Sequence, residues 1–140
     1  MEVYAFIRIG ANTSLLPKHD NLHVKNVDYR KDLASQFADI KQEAGQVDFF
    51  LHNAGMTVSL KNEEYYQVNV GLTTAICDAL GEIDLLKDDG VFVYTSSYAA
   101  HGPANTKQPV SHYGRSKLEA EQVISKKMSK HLLVRPTAIY

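Results

Sequence analysis

The sequence predicts an α/β fold built on a parallel sheet, and three observations carry that expectation. Short apolar, β-rich runs alternate along the chain with segments of helical period. Two of the runs, Val47 to His52 and Val91 to Thr95, are almost continuously apolar, as strands covered on both faces are. The chain has 140 residues, 44% of them hydrophobic, enough for one globular core, so one domain or part of one is expected.

Each element follows from local signals. Val3 to Ile9 is apolar and β-rich and reads as a strand. Asn21 to Val27 alternates apolar and polar, as an edge strand does, and ends at Asp28. From Asp32 to Ala44, Leu33, Phe37 and Ile40 stand at helical spacing, with Gly45 as the stop. Val47 to His52 follows as a strand buried on both faces. Asn62 to Leu80 is expected as a helix with Val68, Leu72, Ala75, Ile76 and Leu80 on one face and Gly81 as its closure. Gly90 introduces the strand Val91 to Thr95, and a loop with Gly102, Pro103 and Pro109 leads to a helix from about Ser111 to Lys130. The last strand, Leu132 to Val134, is stopped by Arg135-Pro136, because proline cannot donate to a ladder.

Composition narrows the function classes. A net charge of −1, with the eleven lysines and four arginines scattered, gives no footprint for nucleic acid or an anionic membrane surface. No apolar run approaches the roughly 18 residues that a membrane span requires. Met1-Glu2-Val3-Tyr4 lacks the basic and apolar regions of a signal peptide. The single cysteine, Cys77, suits a reducing setting, so a cytoplasmic chain is expected.

Four segments carry chemistry. His52-Asn53-Ala54-Gly55 follows a buried strand, and small residues there let backbone approach a ligand at the carboxyl edge of a parallel sheet. A plain strand-ending turn explains the same residues. Asn69-Val70-Gly71 places a glycine inside a helix, where it costs about 1 kcal/mol against alanine and so points to close packing or a kink. Thr95-Ser96-Ser97 clusters hydroxyls at the end of a central strand, a pattern that a polar turn also explains. In Tyr113-Gly114-Arg115-Ser116-Lys117 the Tyr and Lys stand four apart on a helix and share a face. An ammonium beside a phenol favours the phenolate, so the pair suits a general acid/base. The pair alone is weak, since this composition yields roughly 0.6 Tyr-x-x-x-Lys by chance. The order of the four segments makes the case. His52, His101 and His112 stand in different loops without cysteine or carboxylate at ligand spacing, so no metal site is expected. Glu63-Glu64 and Lys126-Lys127 read as solvated helix faces.

VDFFLHNAG, YQVNVGLT, VFVYTSSYAAHGP, PVSHYGRSKLEAEQ and LLVRPTAIY together resemble extended short-chain dehydrogenases/reductases, the NAD(P)-dependent epimerase/dehydratase family. The resemblance covers nearly the whole chain. It implies a Rossmann-like, doubly wound parallel sheet running from about the family's strand two to its strand six. It implies Tyr113 as catalytic acid/base, Lys117 as its ribose-binding partner, Ser97 as the group that polarises the substrate oxygen, and Asn69 as packing or proton relay behind the site. Cofactor contacts are implied at Asn53, Ala54 and Gly55, at Thr95 and Ser96, at Asp28 and Tyr29 beside the adenine, and at Pro136 and Thr137 beside the nicotinamide. Arg8 ends a strand that in such folds reaches the adenosine ribose. Arginine there suits a 2′-phosphate where an acidic residue would bind the NAD hydroxyl, so the expected cofactor is NADP or NAD, with Arg8 favouring NADP.

Two departures from the family pattern follow. Arg8-Ile9-Gly10-Ala11-Asn12 holds one glycine, not the G-x-x-G-x-x-G phosphate loop, so MEVYAFIR reads as strand two, with strand one and its loop lacking. The C-terminal substrate domain is likewise lacking. A sheet without strand one is expected to carry a gap in its middle and to give the pyrophosphate no helix N-terminus. The expected activity is hydride transfer at a carbinol or carbonyl carbon of a nucleotide sugar or a small hydroxy or keto compound. Dehydration is disfavoured, because Tyr98-Ala99-Ala100 stands where dehydratases carry an Asp-Glu pair, and epimerisation and reduction stay open. A non-catalytic dinucleotide-binding module and an inactive fragment are the alternatives. The expected partners are a small-molecule substrate, neither nucleic acid nor membrane, and, as an open alternative, a second copy of the chain.

Overall fold

A computed structural model describes residues 1–103, 106 and 108–137. The element order is β1 (Val3–Arg8), β2 (Leu22–Val27), α1 (Leu33–Ala44), β3 (Val47–His52), a long helix α2 in three parts (Asn62–Tyr65, Tyr66–Leu72 and Thr73–Glu82), β4 (Leu86–Thr95), a short 3-10 turn (Tyr98–Ala100), α3 (His112–Lys127) and β5 (His131–Val134). Every strand pairing is parallel, as expected. The strands form two sheets, β1-β2 and β3-β4-β5. The ladder is interrupted between β1 and β3, where the family resemblance implies the gap, and side chains bridge it. Phe6 of β1 lies 5.2 Å from Phe37 of α1 and 5.9 Å from Phe50 of β3, and Phe50 stacks on Phe92 of β4 at 5.6 Å, all between ring centroids. Phe37 and Phe92 are fully buried. Each such ring removed from water is worth roughly 1.5–3 kcal/mol.

The helix ends follow their sequence signals. The Asp32 carboxylate accepts from the Ala34 and Ser35 amides at the start of α1, and Gly45 closes it at φ 72°. Ser111 caps α3 by accepting from Gly114 N. Among the described residues no helix is long and apolar enough to cross a membrane. In the terminal segment RPTAIY, residues 138–140 lie outside the described residues.

Three expectations are corrected. β3 is covered on one face only: Phe50 and His52 are buried under the helices, but Phe49 and Leu51 are 59% and 62% exposed. Leu132 and Val134 of β5 are exposed too, so an apolar face of this sheet has no described helix packed on it. The second correction concerns α2. Tyr66–Leu72 is π-helical, and the i→i+5 turn shifts the helical phase. The buried residues are Asn69, Thr73, Ile76, Cys77, Ala79 and Leu80, while Ala75 faces solvent and Val68 and Leu72 are only partly covered. Gly81 does not close this helix, which runs through Glu82 and ends where Asp84 takes φ 51°. Finally, β4 begins at Leu86, ahead of Gly90, and a register shift against β3 between Val47 and Phe49 absorbs the extra residues.

Parallel pairing aligns the carboxyl ends of the strands. His52 registers with Tyr94 and Thr95 with Val134, so the segments after β3, β4 and β5 emerge along one edge. Arg8 registers with Val27 at the corresponding edge of the smaller sheet.

Candidate active site

A cleft of about 300 Å³ opens at the carboxyl edge of the three-stranded sheet. Asn53, Gly55, Met56 and Thr57 line it from the segment after β3, Thr95 to Ser97 from the end of β4, Tyr113 and Lys117 from α3, and Pro136 and Thr137 from the exit of β5. It thus joins residues of three of the four chemistry-bearing segments, and Asn69 of the fourth stands directly behind. A second cleft of about 230 Å³ lies at the opposite end of β4. Its Lys87 and Lys127 are already paired with Asp48 and Asp78, so it gathers solvated charges without convergent chemistry.

Asn69 holds the cleft from behind, from within the π-helical part of α2. Its Oδ1 accepts from Met56 N at 2.7 Å, and its Nδ2 donates to Met56 O at 3.0 Å and to Ser116 Oγ at 2.9 Å. Ser116 in turn donates to Tyr113 O at 2.7 Å. One buried amide therefore ties the turn after β3 to the first turn of α3, the turn that carries Tyr113. Gly55 fits this arrangement closely, since a Cβ there would lie 3.0 Å from Asn69 Oδ1 and would press on that amide by a few tenths of an ångström. Gly114 serves a similar end: a Cβ would stand 2.3 Å from Ala99 O, so its absence lets α3 settle on the turn that follows Ser97.

Lys117 is 4% exposed, and its Nζ donates to Thr95 O at 2.7 Å. Burial pulls its pKa down to about 8, with the Glu121 carboxylate opposing that shift. The Ser97 Oγ accepts from Ala99 N at 3.2 Å, which leaves its O–H free to donate into the cleft. Thr95 Oγ1 donates to Asn53 Oδ1 at 2.5 Å and so orders the rim. The Ser96 hydroxyl turns inward to Glu121 Oε1 at 2.5 Å. Glu121 is 3% exposed and also accepts Arg135 Nε at 2.8 Å and Nη2 at 2.5 Å. This bidentate pair, with Glu121 buried and Arg135 partly exposed, ties α3 to the ends of β4 and β5, on either side of the cleft.

Arg8, Asp28 and Tyr29 stand apart, on the smaller sheet. Arg8 is exposed at the end of β1. Asp28 Oδ1 accepts from Arg30 N at 3.1 Å, and that bond holds its carboxyl below the usual value. Tyr29 packs on the core and donates to Phe6 O at 3.4 Å. Ala54 lies between two cleft residues without lining the cleft itself. Of the histidines, His52 is a packed core residue: its Nε2 lies 2.9 Å from Thr73 Oγ1, and Thr73 spends its proton on Asn69 O at 2.6 Å, so Nε2–H must be the donor. His112 Nδ1 lies 3.0 Å from Tyr66 Oη.

Sequence reading missed Met56, Thr57, Glu121 and Arg135. Glu121 carried the one available signal, since it stands four residues after Lys117 and so on the same inward face of α3.

The sequence matches the NAD dependent epimerase/dehydratase family over residues 5–140. No curated protein matches it. Similar solved structures include the Bordetella bronchiseptica enzyme WbmH in complex with NAD+ (TM-score 0.74, 16% identity, covering 97% of this chain and 47% of that one). Others are UDP-glucuronic acid 4-epimerase from Bacillus cereus in complex with NAD (0.66, 20%, 87% and 40%) and a short-chain dehydrogenase from Streptomyces avermitilis (0.71, 19%, 99% and 57%). At such identities the likeness shows the fold, a Rossmann-like α/β sheet. The chain spans between 40% and 57% of the length of these three structures. With the match extending over all but its first four residues, the chain belongs to the NAD dependent epimerase/dehydratase family.

Proposed function

We propose that this chain carries the hydride-transfer site of an NAD(P)-dependent epimerase or carbonyl reductase of the extended short-chain dehydrogenase type. The observation that carries the reading is the convergence of Ser97, Tyr113 and Lys117 on one cleft with Pro136 and Thr137. The cleft suits the nicotinamide-ribose half of a dinucleotide: Gly55 and Pro136 line it with little side-chain bulk, and the buried Lys117 ammonium has donors to spare beyond Thr95 O. The diphosphate half is less well served within these 140 residues, where the loop after β1 holds only Gly10. When bound, the nicotinamide supplies the hydride acceptor and donor.

The chain's own residues would do the rest. Ser97 donates its free hydroxyl proton to the substrate oxygen and orients it. Tyr113 takes the proton from a carbinol, or returns it to a carbonyl, as the hydride moves. Lys117 holds the ribose hydroxyls and keeps positive charge beside the phenol. Asn69 and Glu121 keep these groups in register. Arg8 and Asp28 lie where the adenosine end would run, and the exposed guanidinium of Arg8 supports NADP over NAD. The Bacillus cereus and Bordetella bronchiseptica structures hold NAD, which supports a nicotinamide dinucleotide of either kind, and the former supports a nucleotide-sugar substrate. The buried thiol of Cys77 fits a reducing, cytoplasmic setting.

The test is Tyr113→Phe in the enzyme carrying this chain. The ring still packs and only the transferable proton is removed, so turnover is expected to fall at least about a hundredfold with dinucleotide affinity unchanged. Steady-state rates and fluorescence titration measure the two. Turnover within about threefold of wild type would remove Tyr113 from proton transfer.

A further inference from the structure

Lys117 presents a problem of charge. Its ammonium is 4% exposed, yet among the described residues no carboxylate pairs with it. The nearest acid along α3, Glu121, is committed to Arg135 and Ser96. From β3 the facing group is His52, whose pKa burial lowers to about 4, so it is neutral and gives no compensating charge. From α2 the facing group is the Asn69 amide, and from α3 the Tyr113 phenol. A buried cation without compensation costs several kcal/mol.

The answer lies beneath it. Lys117 Nζ stands 4.2 Å from the ring centroid of Tyr94, well inside the range of a cation–π contact. Tyr94 is fully buried next to the carboxyl end of β4, and its ring packs against His52 at 5.2 Å between centroids. Its hydroxyl does not account for its presence. Tyr94 Oη lacks a hydrogen-bond partner of good geometry, and Thr73 beside it is engaged with His52 and Asn69. What Tyr94 contributes is a ring face, turned toward the one buried ammonium of the site.

We propose that Tyr94 is a positioning residue for the Tyr113–Lys117 pair, its ring forming an electron-rich floor that holds the Lys117 ammonium charged and steered between Thr95 O and the cleft. This rests on Lys117 being a working group of the site. An ammonium has three donors, of which Thr95 takes one. The floor supplies attraction from a second side without consuming the remaining donors, which stay available to whatever enters the cleft.

The experiment varies the ring face at constant shape. Tyr94 is replaced by Phe and by phenylalanines carrying one, two and three ring fluorines, which draw density from the face. The Lys117 titration is followed by NMR in the chain labelled with 13C at lysine Cε, with Lys117→Met identifying the resonance. Tyr94→Phe is expected to leave the midpoint unchanged, and successive fluorines to lower it, by about one unit at three. A midpoint independent of fluorination would overturn the proposal. This readout needs neither cofactor nor substrate. Full turnover of Lys117→Met in the complete enzyme would instead remove Lys117 from the reaction, a separate failure that leaves the titration series interpretable.

Discussion

Lys117 and Arg8 both bring positive charge to the carboxyl edge of a parallel sheet, and the protein treats them differently. Lys117 is enclosed, donates to Thr95 O and rests on the Tyr94 ring. Arg8 stands exposed at the end of β1 and makes no side-chain hydrogen bond among the described residues. The same contrast runs through their neighbours. Around Lys117, Asn69, Ser116, Glu121 and His52 are all buried and each is hydrogen-bonded, Asn69 to Ser116, Glu121 to Ser96 and His52 to Thr73. Around Arg8 the polar contacts are solvated, such as Asp28 with an Arg30 side chain that is 92% exposed. Buried polar groups must be satisfied in one arrangement, so they fix geometry, while exposed ones can trade protein for water at little cost. The three-stranded sheet therefore holds a preorganised site, and the two-stranded sheet presents groups whose positions a ligand would complete.

The contrast breaks most severely at Glu121. Glu121→Ala would leave the buried Ser96 hydroxyl and the partly exposed Arg135 guanidinium without their shared acceptor, at an expected cost of about 1–3 kcal/mol. Urea midpoints of wild type and variant measure this, and a loss below about 1 kcal/mol would show that the ion pair does not lock α3 to the strand ends.

Acid should find the same region. Burial, with a smaller contribution from the nearby Lys117 charge, lowers the His52 pKa to about 4 from an ordinary 6.5. Between those values the unfolded chain binds a proton that the folded chain refuses, so the unfolded state holds more protons and stability falls as pH drops. From pH 6.5 to 4 this group should remove up to about 3 kcal/mol. In His52→Gln that slope should be missing, so the difference between the two proteins shrinks toward pH 4. Parallel pH profiles of the two would count against a neutral, buried His52. Lys117, with its pKa near 8, acts with the same sign at higher pH: the unfolded chain holds the extra proton between about 8 and 10.5, so this group adds stability as pH rises through that window.

The smallest effect belongs to the two-stranded sheet. Arg8→Asp is expected to change stability by no more than about 0.5 kcal/mol, because nothing buried depends on the guanidinium. In the enzyme carrying this chain, the same change should shift preference from NADP toward NAD, since a carboxylate repels a 2′-phosphate. Competition binding with both dinucleotides reads the ratio. An unchanged ratio would leave Arg8 as a solvated strand end.

The sequence by itself determined the order and type of the elements. Asp32, Gly45 and Ser111 mark helix ends through bonds to backbone two to four residues away, and such short-range chemistry is legible in a string of residues. The same holds for the parallel sheet, read from apolar runs. The candidate residues at strand ends and the opening of α3 were picked out by the order of four segments and a family resemblance, and the fold brings most of them to one cleft. Tertiary structure alone decided how those residues are supported. Which face of α2 turns inward was decided by packing: Asn69 and Thr73 lie on the buried line and Ala75 does not, although polar residues at helical spacing read from the string as a solvated face. Whether Phe49 and Leu51 are covered depends on what packs on the sheet, which an apolar run does not disclose. The Glu121 lock and the Tyr94 floor join residues far apart in the chain, and a glutamate or tyrosine in a sequence looks the same whether it is solvated or buried against a cation. Only the packed interior removes water from those pairs, and that removal makes them strong enough to shape the site.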